Sequence, residues 1–152
     1  MADTSKSKSI EQHEAEVYLS MEVEKWIGCA LEKNAKVYLA KGVHIEPDLY
    51  SEEEKILCEI YAHIGKLKVG QQHKISQDIL KMILLEKSKG VKFRKIIITL
   101  DDEVEKFLNG KSFIAESIRQ FGIEIKRMDV PKEIRETIAR AQKRQIMVNE
   151  EI

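Results

Sequence analysis

The chain has 152 residues, with 26 Lys and Arg against 26 Asp and Glu, and it is 43% hydrophobic and 34% charged. These values describe one globular domain with its own core; they exclude a chain disordered throughout and a polycation that grips nucleic acid by bulk charge. Cys29 and Cys58 show no metal-ligand spacing, the N-terminus has no apolar leader, and no apolar run approaches a membrane span, so the expectation is a cytoplasmic protein without a membrane partner.

In chain order, residues 1–12 are Ser/Lys-rich and aperiodic and predict a disordered tail, and residues 13–148 predict a single domain. Leu19, Val23, Ile27, Ala30 and Leu31 recur at helical spacing and predict an amphipathic helix over 13–34. A first strand follows at 35–41, with Gly42 as its turn, and two more are expected at 43–50 and 55–62. A hairpin symmetric about Glu53 and Glu54 puts Asp48 opposite Glu59.

A basic loop, GKLKVG, leads into a long helix over 72–87 with Ile75, Ile79, Met82 and Ile83 inward. Residues 92–100, with an Ile-Ile-Ile-Thr centre, suit a buried strand. Asp101 and Asp102 open a short helix, the segment after Asn109-Gly110 forms another through Gln120, and Gly122 stops it. A strand at 123–128 and a helix after Pro131 complete the chain. The fold class is therefore α/β, a mixed sheet flanked by helices, in which an antiparallel hairpin leads into a parallel crossover.

Charge is unevenly spread. Between Ile60 and Leu100 nine Lys and Arg face only Asp78 and Glu86, which reads either as an electrostatic footprint or as solvated helix and turn surface. More informative are two acids inside strand-like runs, Asp48 after Pro47 and Glu59 within ILCEIYA, since a buried ionised group is costly unless paired. By alternation Leu57, Glu59, Tyr61 and His63 share one face of their strand, and His44, Glu46, Asp48 and Tyr50 share one face of the partner. One face of the hairpin is thus expected to be apolar and the other to carry acids, histidines and tyrosines. Two carboxylates held together call for a cation, and Mg2+ (or Mn2+) takes oxygens from one or two carboxylates while leaving places for water and phosphate.

Pro47-Asp48, ten intervening residues, Glu59 and then Tyr61, set in this order of elements, resemble the PD-(D/E)xK nuclease superfamily, the restriction-endonuclease-like fold with its αβββαβ core. The resemblance implies that Asp48 and Glu59 bind the metal of a nuclease acting on nucleic acid, DNA favoured. Family members often add a glutamate from the first helix, for which Glu24 is the choice, at the edge of the apolar stripe. The sequence departs from the pattern at Tyr61, which stands where the family has a lysine. Lys74, which opens the long helix and shares a polar stripe with Asp78 and Lys81, is the candidate to supply the cation, with Lys66 and Lys68 as substitutes. Lys66, Lys68, Gln72 and Lys81 are candidates for contacts to nucleic acid, with Arg135, Arg140, Lys143 and Arg144 of the last helix as a further track.

Other readings stand beside these. Glu59 is otherwise a lysine's buried partner, Asp48 a turn cap and Trp26 a core residue. His44, His63 and His73 lack convergent metal spacing. The missing lysine leaves as the alternative a catalytically degenerate fold, serving as a nucleic-acid-binding or protein-interaction module. A homodimer is expected for an enzyme of this size that cuts duplexes.

Overall fold

The computed structural model describes residues 10–150 of the chain. Most of the expected tail lies outside that range, but Ile10, Glu11 and Gln12 belong to helix α1, Ile10–Ile27. The helix ends earlier than the periodicity of Leu31 implies, because Gly28 adopts a φ of +88° and its N–H returns to the Glu24 carbonyl at 2.8 Å. Leu31 is still buried, but the chain has already turned into a short strand, β1, Glu32–Lys33.

The next strands divide differently from the expectation. Strand β2, Val37–Ala40, pairs only with β3, Val43–Ile45, in a separate two-stranded sheet. The segment 43–50 is therefore two strands, broken at Glu46-Pro47, where proline removes a ladder donor. The second part, β4, Leu49–Ser51, joins the main sheet between β1 and β5, Ile56–Tyr61. The hairpin register matches the symmetric pairing: Leu49 faces Cys58, Tyr50 faces Leu57 and Ser51 faces Ile56, and one step further brings Asp48 to Glu59. A four-residue turn, Glu52 to Lys55, joins the two strands, with Lys55 at a φ of +57° and the Ser51 hydroxyl accepting the Glu54 N–H at 3.0 Å.

From β5 the sheet continues in parallel. Helix α2, Val69–Lys89, crosses to β6, Arg94–Thr99. Helices α3, Asp102–Leu108, and α4, Phe113–Gln120, cross to β7, Glu124–Arg127. Helix α5, Lys132–Glu150, follows. The Asp101 cap signal holds, its side chain accepting the Glu103 N–H at 3.1 Å; at the start of α4 the Ser112 side chain accepts the Ala115 N–H at 3.1 Å. The result is a five-stranded mixed sheet in the order β1-β4-β5-β6-β7. Among the described residues no helix is long and apolar enough to cross a membrane.

Helices cover both faces of the sheet. Ile75, Ile79, Met82 and Leu85 of α2, with Val104, Leu108, Ile114 and Ile118 of α3 and α4, pack on Leu57, Tyr61 and Ile97. On the other side Ala15, Leu19 and Val23 of α1 and Ile138 of α5 pack on Ile56, Cys58, Ile60, Ile96 and Ile98. Every residue of β5 is buried, so the hairpin face that carries Glu59 and Tyr61 is covered like the apolar one. Parallel strands under two helical layers are apolar on both sides, and Glu59 is an exception set inside that pattern.

A second charged group is interior. Lys95 of β6 is only 6% exposed, and its ammonium lies 2.7 Å from Glu86 Oε2, which also accepts the Phe93 N–H at 2.8 Å. Removing one partner of a buried pair strands the other charge. Glu86→Ala is therefore expected to lower unfolding free energy by about 3 kcal/mol, whereas Lys132→Ala, at the exposed Lys132–Glu136 pair, changes it by no more than about 0.5 kcal/mol. Urea unfolding of both variants measures the difference, and equal effects would show that Lys95 is solvated.

Candidate functional site

The site is built where the antiparallel ladder stops. Asp48 lies one residue before β4, so no strand partner takes the next backbone N–H of β5; the Asp48 side chain does so instead, Oδ2 accepting from Ile60 at 2.7 Å. That bond fixes the carboxylate beside Glu59, the neighbouring residue on β5. Glu59 is 8% exposed and has no lysine or arginine in an ion pair with it among the described residues, which removes the reading of it as a lysine's structural partner.

A third acid comes from α2. Asp78 is 6% exposed and accepts a hydrogen bond from the Tyr61 hydroxyl. The polar stripe of Lys74, Asp78 and Lys81 therefore does not face solvent as a whole: its middle member is turned onto the sheet while Lys74 remains exposed. The Lys74 ammonium stands 5.8 Å from the centre of the Tyr61 ring, and its charge acts on both Glu59 and Asp78. Lysine from the helix thus reaches over the tyrosine that occupies the strand position.

The electrostatics follow from this geometry. Burial first, then the charges of Asp48 and Asp78, push the Glu59 carboxyl up to about 10, with only Lys74 opposing. Burial also raises Asp78, against the Tyr61 hydroxyl and the charges of Lys74 and Lys81. Burial and the Asp78 carboxylate raise the Tyr61 phenol, so Tyr61 is a hydrogen-bond donor and not a base. Below the pH at which Glu59 ionises, the carboxyl holds a proton beside Asp48, and a bound cation would take that proton's place.

Two facing carboxylates fit a hard divalent ion that keeps waters or phosphate in its remaining positions; they do not make an all-protein cage. Among the described residues no group of three or more His, Cys, Asp and Glu is arranged to hold a metal. Glu24, expected as the third ligand, is engaged elsewhere: its Oε2 accepts the Leu31 N–H at 2.9 Å and secures the turn after α1. Another α1 acid, Glu16, lines a cavity of about 150 Å³ together with Asp48, Ser20 and Ile60. Glu16, Ser20 and Glu24 each follow a buried residue of α1, so all lie on one edge of its apolar stripe. Eight residues of helix separate the two acids by about 12 Å, and only the height of the hairpin against α1 distinguishes them.

The other candidates are dispersed. Lys66 and Lys68 are exposed on the loop before α2. Gln72 turns back to the Leu67 carbonyl at 3.2 Å, so it serves the start of the helix. Lys81 is half-buried beside Asp78. On α5, Arg135 is held by Asp101 and by the Leu100 carbonyl at 3.0 Å, and Arg144 pairs with Glu11, so two of the four basic residues there are engaged within the fold. Trp26 is not core: it is 39% exposed, with Arg94 and Lys126 each 5.0 Å from its ring centre.

No protein-family model matches the chain, and no curated protein or solved structure shows significant similarity to it.

The burial of Glu59 has a measurable signature. Its folded-state value of about 10 lies above the ordinary 4.5, so between these pH values the folded state binds more protons than the unfolded chain. Stability contributed by the proton is full below the lower value and is lost as pH rises towards the upper one. From pH 5 to 8 the wild type is expected to lose on the order of 1–3 kcal/mol through this group. Glu59→Gln, neutral throughout, removes that loss and is the more stable protein at pH 8. Urea midpoints across the pH series measure it; parallel curves for the two proteins would place an ordinary, solvated carboxylate at Glu59.

Proposed function

We propose that the protein is a metal-dependent phosphodiesterase acting on nucleic acid, a nuclease of restriction-endonuclease-like architecture with Mg2+ or Mn2+ bound by Asp48 and Glu59. The observation that carries this reading is the convergence of Asp48, Glu59 and Asp78 with no arginine or lysine ion-paired to any of them among the described residues. A folded protein tolerates such a cluster at a cost in stability, and functional sites are where that cost recurs.

In this reading each residue has a task. The metal, when bound, supplies a polarised phosphoryl oxygen and an activated water. Asp48 and Glu59 hold it, and the Ile60 N–H keeps Asp48 in register. Lys74, exposed and beside the acids, stabilises charge developing on the phosphate, the task that the residue at Tyr61 cannot perform. Tyr61 and Asp78 form a hydrogen-bonded pair that stiffens the wall beneath Lys74. Lys66 and Lys68 on the loop before α2, and Lys81 beside Asp78, are the phosphate contacts in this reading, DNA being the favoured nucleic acid.

A second reading is favoured by one observation: the strand position that carries lysine in the family is Tyr61, and its hydroxyl is committed to Asp78. Under that reading the fold binds nucleic acid or a protein without cutting.

The two readings differ in an assay. With Mn2+ or Mg2+ the wild type is expected to cleave plasmid or oligonucleotide DNA. Asp48→Asn and Glu59→Gln are each expected to lower kcat by at least about 100-fold, and Lys74→Ala by about 100-fold with KM little changed. Metal-independent binding without cleavage would select the interaction module.

A further inference from the structure

Beyond Glu59 the C-terminal end of β5 opens into another cavity of about 200 Å³, which shares Glu16 and Ile60 with the one beside Asp48. Its wall includes Tyr61, His63, Leu67, Gln71 and Lys74. Such a volume is below the range of about 300–1,000 Å³ that takes drug-sized ligands, so it admits one small unit and no duplex.

The wall is held in shape. Gln142 of α5 clasps the backbone of Ile64 on both sides, accepting its N–H at 2.9 Å and donating to its carbonyl at 2.9 Å. The Gly65 N–H donates to Asp101 Oδ2 at 3.0 Å, and Gln71 joins His63 Nδ1 at 3.0 Å while its oxygen accepts the Lys68 N–H at 2.7 Å. Three separate elements thus brace one loop that has no strand partner of its own.

The chemistry of the wall is divided. Leu67 is buried and apolar; His63 and Gln71 spend most of their polar atoms on each other, on the Lys66 carbonyl and on the Lys68 N–H, and so present a fixed ring and one remaining amide N–H; Lys74 alone among these is cationic, on the side towards Glu59 and Asp78. A phosphate pocket would gather cations; this one gathers neutral polar groups and the acid Glu16 over an apolar surface and keeps its cation at the border. A fixed aromatic ring and an amide N–H take the face and the edge of an unpaired base.

We propose that this cavity takes one unpaired nucleotide of a single strand or strand end, the base against His63 and Gln71 and the attached phosphate towards Lys74 and the Asp48–Glu59 pair. The inference rests on the phosphodiesterase reading and narrows its substrate to single-stranded nucleic acid.

The test is calorimetric titration of the full chain in EDTA with a 5′-phosphorylated thymidine dinucleotide, inorganic phosphate and a blunt-ended duplex, followed by cleavage assays in Mn2+. The dinucleotide is expected to bind at least about tenfold more tightly than the other two probes. His63→Ala is expected to weaken it by about tenfold, and so is Gln145→Ala on the exposed, α5 side of the same cavity, with unchanged melting temperatures confirming that both variants fold. Dinucleotide binding that depends on these residues but is not accompanied by cleavage would support the cavity's assignment and overturn the phosphodiesterase reading. Cleavage of duplex as fast as single strand, indifferent to both variants, would overturn the assignment and leave that reading standing.

Discussion

The structure turns on placing Asp48 and Glu59 side by side where the sheet is dry and no basic side chain forms an ion pair with either among the described residues. Charge in such a place is disfavoured by burial and by its like-charged neighbour, so the resting site keeps a proton on Glu59. Everything nearby bears on that constraint. The ladder stops one residue early so that Asp48, and not a carbonyl, receives the Ile60 N–H. Asp78 adds a further acid from the covering helix and is itself held by Tyr61. Lys95, by contrast, receives its partner Glu86 at 2.7 Å. The fold can therefore neutralise a buried charge by pairing, and at the Asp48–Glu59 end it does not.

The two helical layers make the constraint severe. Were the hairpin covered on one face only, Glu59 would lie in water and be an ordinary acid. With α2 on its side and α1 and α5 on the other, β5 is buried along its whole length. In the proposed function the same burial would strengthen the attraction between the carboxylates and an entering cation relative to a solvated surface. Access comes from the end of the sheet, where the two small cavities meet at Glu16 and Ile60.

Much of this was legible in the sequence, and for identifiable reasons. The Asp48–Glu59 register follows from hairpin symmetry, since each turn residue displaces both strands equally. Asp101 and Gly122 carry local signals that need no tertiary context. What failed had two causes: local stop signals, at Gly28 and Pro47, that outweigh the hydrophobic spacing, and packing between elements distant in sequence. Gly28 ended α1 against the pull of Leu31's spacing, freeing residues that became an edge strand. Pro47 divided a run that alternation alone reads as continuous. Asp78 looked like the middle of a solvated stripe because spacing fixes a helix face but not which neighbours cover it. Glu24 and Glu16 share one edge of α1, and the choice between them lies in the helix's height against the hairpin. Trp26 was assigned to the core by residue type, whereas two cations flank its ring at the surface.

The most direct measurement is the titration of the Glu59 side-chain carboxyl by 13C NMR, in metal-free buffer and again with saturating Mg2+. The account predicts a metal-free transition far above the ordinary carboxylate range, which falls by several pH units when Mg2+ is present as cation replaces proton. A transition near 4.5, the ordinary value, or one that Mg2+ leaves unmoved, would contradict it.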